Sequence, residues 1–181
     1  MHVDPHAPPL ISRYAVDREK VGYFRTNGHV HLPAVASREE VGFFRAPINE
    51  AAAKHGQTDV LPLEQRDTYG KAFLQHMNLW TADPTVAAFT LGERFARLAA
   101  ELLGVVGVSM FNDLALLKEA GGGFTPWHED QLFWPIDTDR KVSLWMPLVD
   151  LSEDMGILRF ASLSHTTGYL GTLPISEVSE A

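Results

Sequence analysis

His128 and Asp130 stand one residue apart, shortly after three consecutive glycines, Gly121–Gly123. On an extended backbone the side chains at i and i+2 project to the same face. That puts the His128 imidazole beside the Asp130 carboxylate, with Glu129 on the other side. An imidazole nitrogen and a carboxylate oxygen on one face are two of the three ligands of the facial triad that holds non-haem Fe(II). The neighbours suit that geometry. The glycines bend the backbone at little steric cost, and Pro126 biases Thr125 towards an extended conformation. Trp127, Phe133 and Trp134 fit a strand half-buried in a sheet. An isolated His-x-Asp is a weak signal in a chain with 8 His and 23 acidic residues. The competing reading is a surface strand whose His and Asp are merely solvated.

The elements that must position this pair read as helices first and strands later. Val16, Lys20, Tyr23 and Phe24 recur at helical spacing, and Asn27-Gly28 supplies a left-handed cap. His29 to Leu32 reads as a short strand. Ser37 followed by Glu40 is a capping box, opening a helix through Val41, Phe44, Ile48 and Ala52, with Pro47 expected to kink it. Gly56 to Leu63 reads as a loop. Asp83-Pro84 opens the strongest helix, with Val86, Phe89, Phe95, Leu98 and Leu102 on its apolar side and Gly104 at its end. Val105 to Leu117 is strand-like. Val142 to Leu148 alternates, with Val142, Leu144, Met146 and Leu148 on one face and Ser143, Trp145 and Pro147 on the other. Leu151 to Gly156 reads as a turn and Ile157 to Phe160 as a further strand. The layout is α+β.

Composition narrows the function classes. The chain has 181 residues, which suits one domain. Residues 1–15, with prolines and His2 and His6, read as a flexible arm, and 16–181 as the domain. The net charge of −8, without a basic block, argues against nucleic acid. The chain has no cysteine, so disulfides, Fe–S clusters and zinc–thiolate sites are excluded; a cytoplasmic location is compatible with this. There is no apolar run long enough to span a membrane and no signal-peptide core near the start.

The run Leu117-Lys118-Glu119-Ala120-Gly121-Gly122-Gly123-Phe124-Thr125-Pro126-Trp127-His128-Glu129-Asp130, followed by Phe133-Trp134-Pro135, resembles the signature of the phytanoyl-CoA dioxygenase family. So do Val142-Ser143-Leu144-Trp145-Met146-Pro147-Leu148, Gly156-Ile157-Leu158-Arg159-Phe160 and Ser164-His165. The resemblance runs from about Val16 to the end and is densest from Ser109 to His165. It implies a double-stranded β-helix (jelly roll) with the N-terminal helices packed on it. It also implies an Fe(II)- and 2-oxoglutarate-dependent dioxygenase that hydroxylates a small organic substrate.

His128 and Asp130 then take the places of catalytic metal ligands. Trp145 matches a tryptophan beside 2-oxoglutarate, although an ordinary core tryptophan is an equal reading. Leu114 falls where close relatives carry a glutamine, and Gln75 lies near a position that can touch the co-substrate. Lys118 could meet a carboxylate, or simply be solvated. The family's third ligand, a later histidine, and its 2-oxoglutarate arginine have no match, since no Arg, Lys or His follows His165. His165 could substitute as third ligand; the alternative is a loop bonded to its own backbone. The chain therefore looks like a barrel missing its C-terminal part, with an open sheet edge through which it could self-associate.

Other classes fit less well. A cupin-like metalloprotein shares the spacing from Gly122 to His128, but cupins usually carry a second histidine where this chain has Asp130. A truncated or degenerate relative that binds a ligand or partner without catalysis fits the missing ligands. A hydrolase has no support, because there is neither a G-x-S-x-G elbow nor a cysteine.

Overall fold

The computed structural model describes residues 2–55, 61–168 and 175–176. Helix α1 (Arg18–Asn27) ends at Gly28, whose φ of 82° is the left-handed cap foreseen from Asn27-Gly28. Helix α2 (Arg38–His55) opens with the expected reciprocal box. Ser37 Oγ accepts from Glu40 N at 3.2 Å, and Glu40 Oε2 accepts from Ser37 N at 2.8 Å. The helix runs on through Pro47. The loop expected from Gly56 falls in part on 56–60, outside the described residues.

Beyond it come α3 (Thr68–Ala72), β1 (Leu74–Met77), α4 (Leu79–Ala82), α5 (Pro84–Thr90), α6 (Glu93–Leu103) and β2 (Leu114–Leu117). Asp83 caps α5 through Oδ1, which accepts from Thr85 N at 2.8 Å and Val86 N at 3.1 Å. The single long helix expected from Asp83 to Gly104 is two helices, broken at Leu91-Gly92. The reason is remote in sequence. Leu10 O accepts from Arg94 N at 2.8 Å, and a Cβ on Gly92 would lie 2.9 Å from Leu10 Cβ. The N-terminal segment thus occupies the notch between α5 and α6.

The core lies among α2, α4, α5 and α6. Phe44 is fully buried, with Phe89 at 5.0 Å between ring centroids, and Phe89 meets Phe95 edge-on at 5.3 Å. Burying one such side chain contributes about 1.5–3 kcal/mol. Leu10, at 3 % exposure, belongs to the same cluster, so the expected loose arm is anchored at this point. Arg94 is also buried there. It donates to Glu40, Ser12 and the Val35 carbonyl, which together satisfy its guanidinium.

Among the described residues the sheet has two strands, β1 and β2, antiparallel with Leu74 opposite Leu117 and Met77 opposite Leu114. Ala115 and Leu117 pack on the helical core, and His76, opposite Ala115, is 9 % exposed. The other face carries Gln75, Met77, Leu114 and Leu116 and is open. The expected strands at 29–32, 105–113, 142–148 and 157–160 do not form ladders. A strand is completed by a partner's repeated hydrogen bonds, and among the described residues these segments form no such ladder, although Asp113 O accepts from Asn78 N at 3.0 Å just beyond β1. Three of them carry apolar side chains outward, with Val106, Phe111, Leu144 and Phe160 exposed, while Val30, Leu32, Met146 and Leu148 pack on the core.

Candidate metal centre

The glycine turn is pinned to α3 before the chain reaches His128. Gly123 N donates to Lys71 O at 2.9 Å, and a Cβ on Gly122 would lie 2.7 Å from that same oxygen. Only glycine permits this approach. Lys118 adds a second tie, donating to Ala72 O at 2.9 Å and Gly123 O at 2.7 Å. Burial pushes its ammonium below the ordinary lysine pKa. Lys118 therefore ties the turn to α3 through its ammonium, while the residue as a whole stays exposed. Arg66 pairs with Glu119 and bonds Leu61 O at 2.7 Å, fixing the other flank.

His128 and Asp130 come together as their spacing implies, although not on a strand. Asp130–Phe133 is a turn of 3-10 helix, and Glu129 before it is extended (φ −113°, ψ 124°). His128 Nε2 lies 3.4 Å from Asp130 Oδ1, with the side chains 30 % and 51 % exposed. The other ring nitrogen, Nδ1, faces Pro126 O at 2.9 Å. A carbonyl only accepts, so Nδ1 carries the proton and Nε2 points at Asp130. This second hydrogen bond to the backbone is how metal-binding imidazoles are usually oriented. The hydrogen bond to Asp130, helped by Pro126 O and opposed by burial, raises the His128 pKa above its ordinary value.

The donor set thus fits two of the three places of an Fe(II) site. Among the described residues no group of three or more His, Cys, Asp or Glu side chains is placed to hold a metal ion. His165 is elsewhere. It sits in a 3-10 turn, Ser164–Thr166, whose leading residue Leu163 donates from N to Asn27 O at 3.0 Å. Its imidazole packs over Gly28, where any added Cβ would collide with it. His76 points to the helical side of the sheet, its Nδ1 buried without a hydrogen-bond partner.

Gln75 and Leu114 share one face. Gln75 pairs with Leu116 and Met77 with Leu114, so Gln75 and Leu114 are diagonal neighbours on the open side of the sheet. Trp145 is 42 % exposed on the irregular 142–148 segment, which is anchored by Met146 and Leu148 against the core. Sequence reasoning missed Tyr69. Its hydroxyl donates to Gln75 Oε1 at 2.8 Å. Burial, with the Asp130 charge adding to it, raises the phenol's pKa. No sequence motif marks such a bond, which joins a residue of α3 to one of β1 across the turn at Phe73.

The chain belongs to the phytanoyl-CoA dioxygenase (PhyH) family, whose model matches residues 24–172. This is a family of iron- and 2-oxoglutarate-dependent oxygenases. Among solved structures the chain resembles the non-heme alpha ketoglutarate dependent carbocyclase SnoK from nogalamycin biosynthesis. The TM-score is 0.58 and the identity 23 %, over 68 % of this chain and 46 % of that one. The likeness is one of fold, and this chain spans less than half of that protein's length. No curated protein matches.

Proposed function

We propose that residues 16–181 form the helical layer and first strands of an Fe(II)- and 2-oxoglutarate-dependent dioxygenase domain that hydroxylates a small organic substrate. The observation that carries this reading is the orientation of His128. Its Nδ1–H is committed to Pro126 O, and Nε2 is left beside Asp130 Oδ1. His128 and Asp130 would hold the metal. Iron bound there supplies the redox chemistry with O₂ that amino-acid side chains lack. Gln75 and Leu114 face the space where the co-substrate would lie, with Trp145 as a wall. Gln75 can bond an oxygen atom; Leu114 can only exclude water.

The segments 105–113, 142–148 and 157–160 are then jelly-roll strands, which accounts for the outward Val106, Phe111, Leu144 and Phe160. No third protein ligand is placed beside the pair among the described residues. Residues 1–181 alone would therefore turn over poorly, since orientation of the reactants controls rate steeply. The second reading is a non-catalytic relative that binds a ligand or partner. It is favoured by the absence of a third ligand among the described residues.

The test is succinate release from 2-oxoglutarate with Fe(II) and ascorbate, for wild type, His128→Ala and His165→Ala. We expect little release from any of them. Robust wild-type release abolished by both substitutions would overturn the inactivity and install His165 as third ligand. Robust release lost only with His128→Ala would also overturn the inactivity, and would keep the His128 assignment.

A further inference from the structure

The turn that carries Asp130 is shaped by bonds of its own. Trp134 N donates to Gln131 O at 3.4 Å, Ile136 N to Trp134 O at 2.7 Å, and Gln131 Nε2 to Ile136 O at 2.8 Å. These bonds give 130–136 its form without tying it to the helices. The ring of Trp134 reaches outward. Its centroid lies 6.1 Å from that of Phe111, with the planes tilted by 47°, and Lys141 Nζ stands 5.1 Å from it over the ring. That is within the range of a cation–π contact. The Lys141 ammonium is buried and has no hydrogen-bond partner among the described residues. Exchanging water for an aromatic face alone is costly for an ammonium. An apolar side chain could fill the same space without that cost, so packing does not account for a lysine here. Lys141 leads into the 142–148 segment, whose Met146 and Leu148 pack on the helical core. The contact therefore joins the Asp130 turn to the body of the protein.

We propose that Lys141 is a positioning residue for the metal pair: its ammonium clamps the Trp134 ring and thereby holds the Asp130 turn where Oδ1 stands beside His128 Nε2. Trp134 directly follows the 3-10 turn Asp130–Phe133, so a fixed ring fixes the short backbone from which Asp130 projects. Asp130 itself is 51 % exposed, and its own surroundings do little to hold it. A carboxylate that must be ordered when the metal arrives takes that cost out of the affinity, and one held in advance does not. The inference rests on the reading of His128 and Asp130 as a metal pair. It goes beyond that reading by naming the residue, outside the pair and its glycine turn, that keeps the carboxylate in place.

The experiment pairs two readouts on the full chain: Mn(II) affinity by calorimetry and the urea midpoint without metal. The variants are Lys141→Leu, Lys141→Arg, Trp134→Leu, the double variant Lys141→Leu/Trp134→Leu, and His128→Ala. Lys141→Leu removes the cation and spares the fold a buried ammonium. We expect its urea midpoint to be unchanged or higher, while Mn(II) binds about three- to tenfold more weakly, the worth of one desolvated cation–π contact. Lys141→Arg keeps a cation that stacks on aromatic faces and should bind Mn(II) as wild type does. In the Trp134→Leu background, Lys141→Leu should cost nothing further. Wild-type Mn(II) affinity in Lys141→Leu would overturn the inference. So would weaker binding accompanied by a lower urea midpoint, which would make Lys141 a general stabiliser. Equal losses from Lys141→Leu with and without Trp134 would also overturn it, because the lysine would then not act through the ring. If wild type does not bind Mn(II), or His128→Ala binds it as tightly as wild type, the metal reading itself fails, and this inference falls with it.

Discussion

Glu40 and Arg94 meet as a two-pronged pair between the start of α2 and the first turn of α6, with Glu40 Oε2 2.6 Å from Nη1 and Oε1 2.8 Å from Nη2. The same Glu40 Oε2 accepts from Ser37 N. One carboxylate thus closes the capping box and anchors a guanidinium whose side chain is 9 % exposed. Removing one partner of such a pair leaves a buried charge uncompensated, at about 3–5 kcal/mol. Glu40→Ala should therefore cost a large share of the stability, read as a fall in the urea midpoint at neutral pH.

The pair also sets an acid limit. The hydrogen bond from Arg94 holds Glu40 below its ordinary pKa of 4.5, against the opposing effect of burial. A folded-state pKa below the unfolded one means that the stabilisation is fully present above about pH 4.5 and is lost as pH falls through the lowered value. Wild type should lose stability on acidification below that point. Glu40→Gln should start less stable and show a shallower fall. Parallel slopes in the two proteins would assign acid unfolding to other carboxylates.

The packing of Leu10 gives a second test. Leu10 is 3 % exposed and fills the notch at Gly92. Leu10→Ala should destabilise by about 2–4 kcal/mol, as large-to-small changes in a core do. An unchanged melting temperature would mean that residues 2–15 are not anchored there in solution.

These contacts show what was legible in the sequence and what was not. The Ser37–Glu40 box and the Asp83 cap were legible because each is made within four residues. The proximity of His128 and Asp130 was legible for the same reason, even though the backbone there is a 3-10 turn instead of a strand. The break at Gly92 was not, because it is dictated by Leu10, far away in sequence. Apolar runs such as 142–148 read as strands, but pairing belongs to two segments at once, and a single run does not supply the second. The short β1, with Gln75 and His76 inside it, lacks the apolar alternation that would announce it. Only the register with β2 reveals that Gln75 and Leu114 share a face.

The open face predicts behaviour in solution. Leu114 and Leu116 are each 40 % exposed and Met77 is 56 % exposed on it, and β1 and β2 have no further strand beside them among the described residues. Open edges with apolar faces invite pairing with another chain. The chain should sediment as a dimer or larger species, and Leu116→Lys should shift it towards monomer. A wild-type monomer at micromolar concentration would contradict this.

Gly28 separates two roles for His165. At φ 82° an alanine is strained by about 1–2 kcal/mol, and its Cβ would displace the His165 ring. Gly28→Ala should lower the melting temperature and speed proteolysis in the 160–168 segment, while leaving metal binding unaffected. Weakened metal binding would bring His165 back as a ligand.

The central claim is that His128 and Asp130 form the metal-facing pair, and anaerobic Fe(II) titration of wild type, His128→Ala and His165→Ala tests it most directly. Loss of even an outer hydrogen bond to a metal-bound histidine costs about 10–100-fold in affinity, so loss of the ligand itself should cost at least that. We predict an affinity at least about tenfold lower in His128→Ala and unchanged in His165→Ala. Equal Fe(II) affinity in wild type and His128→Ala would contradict the account.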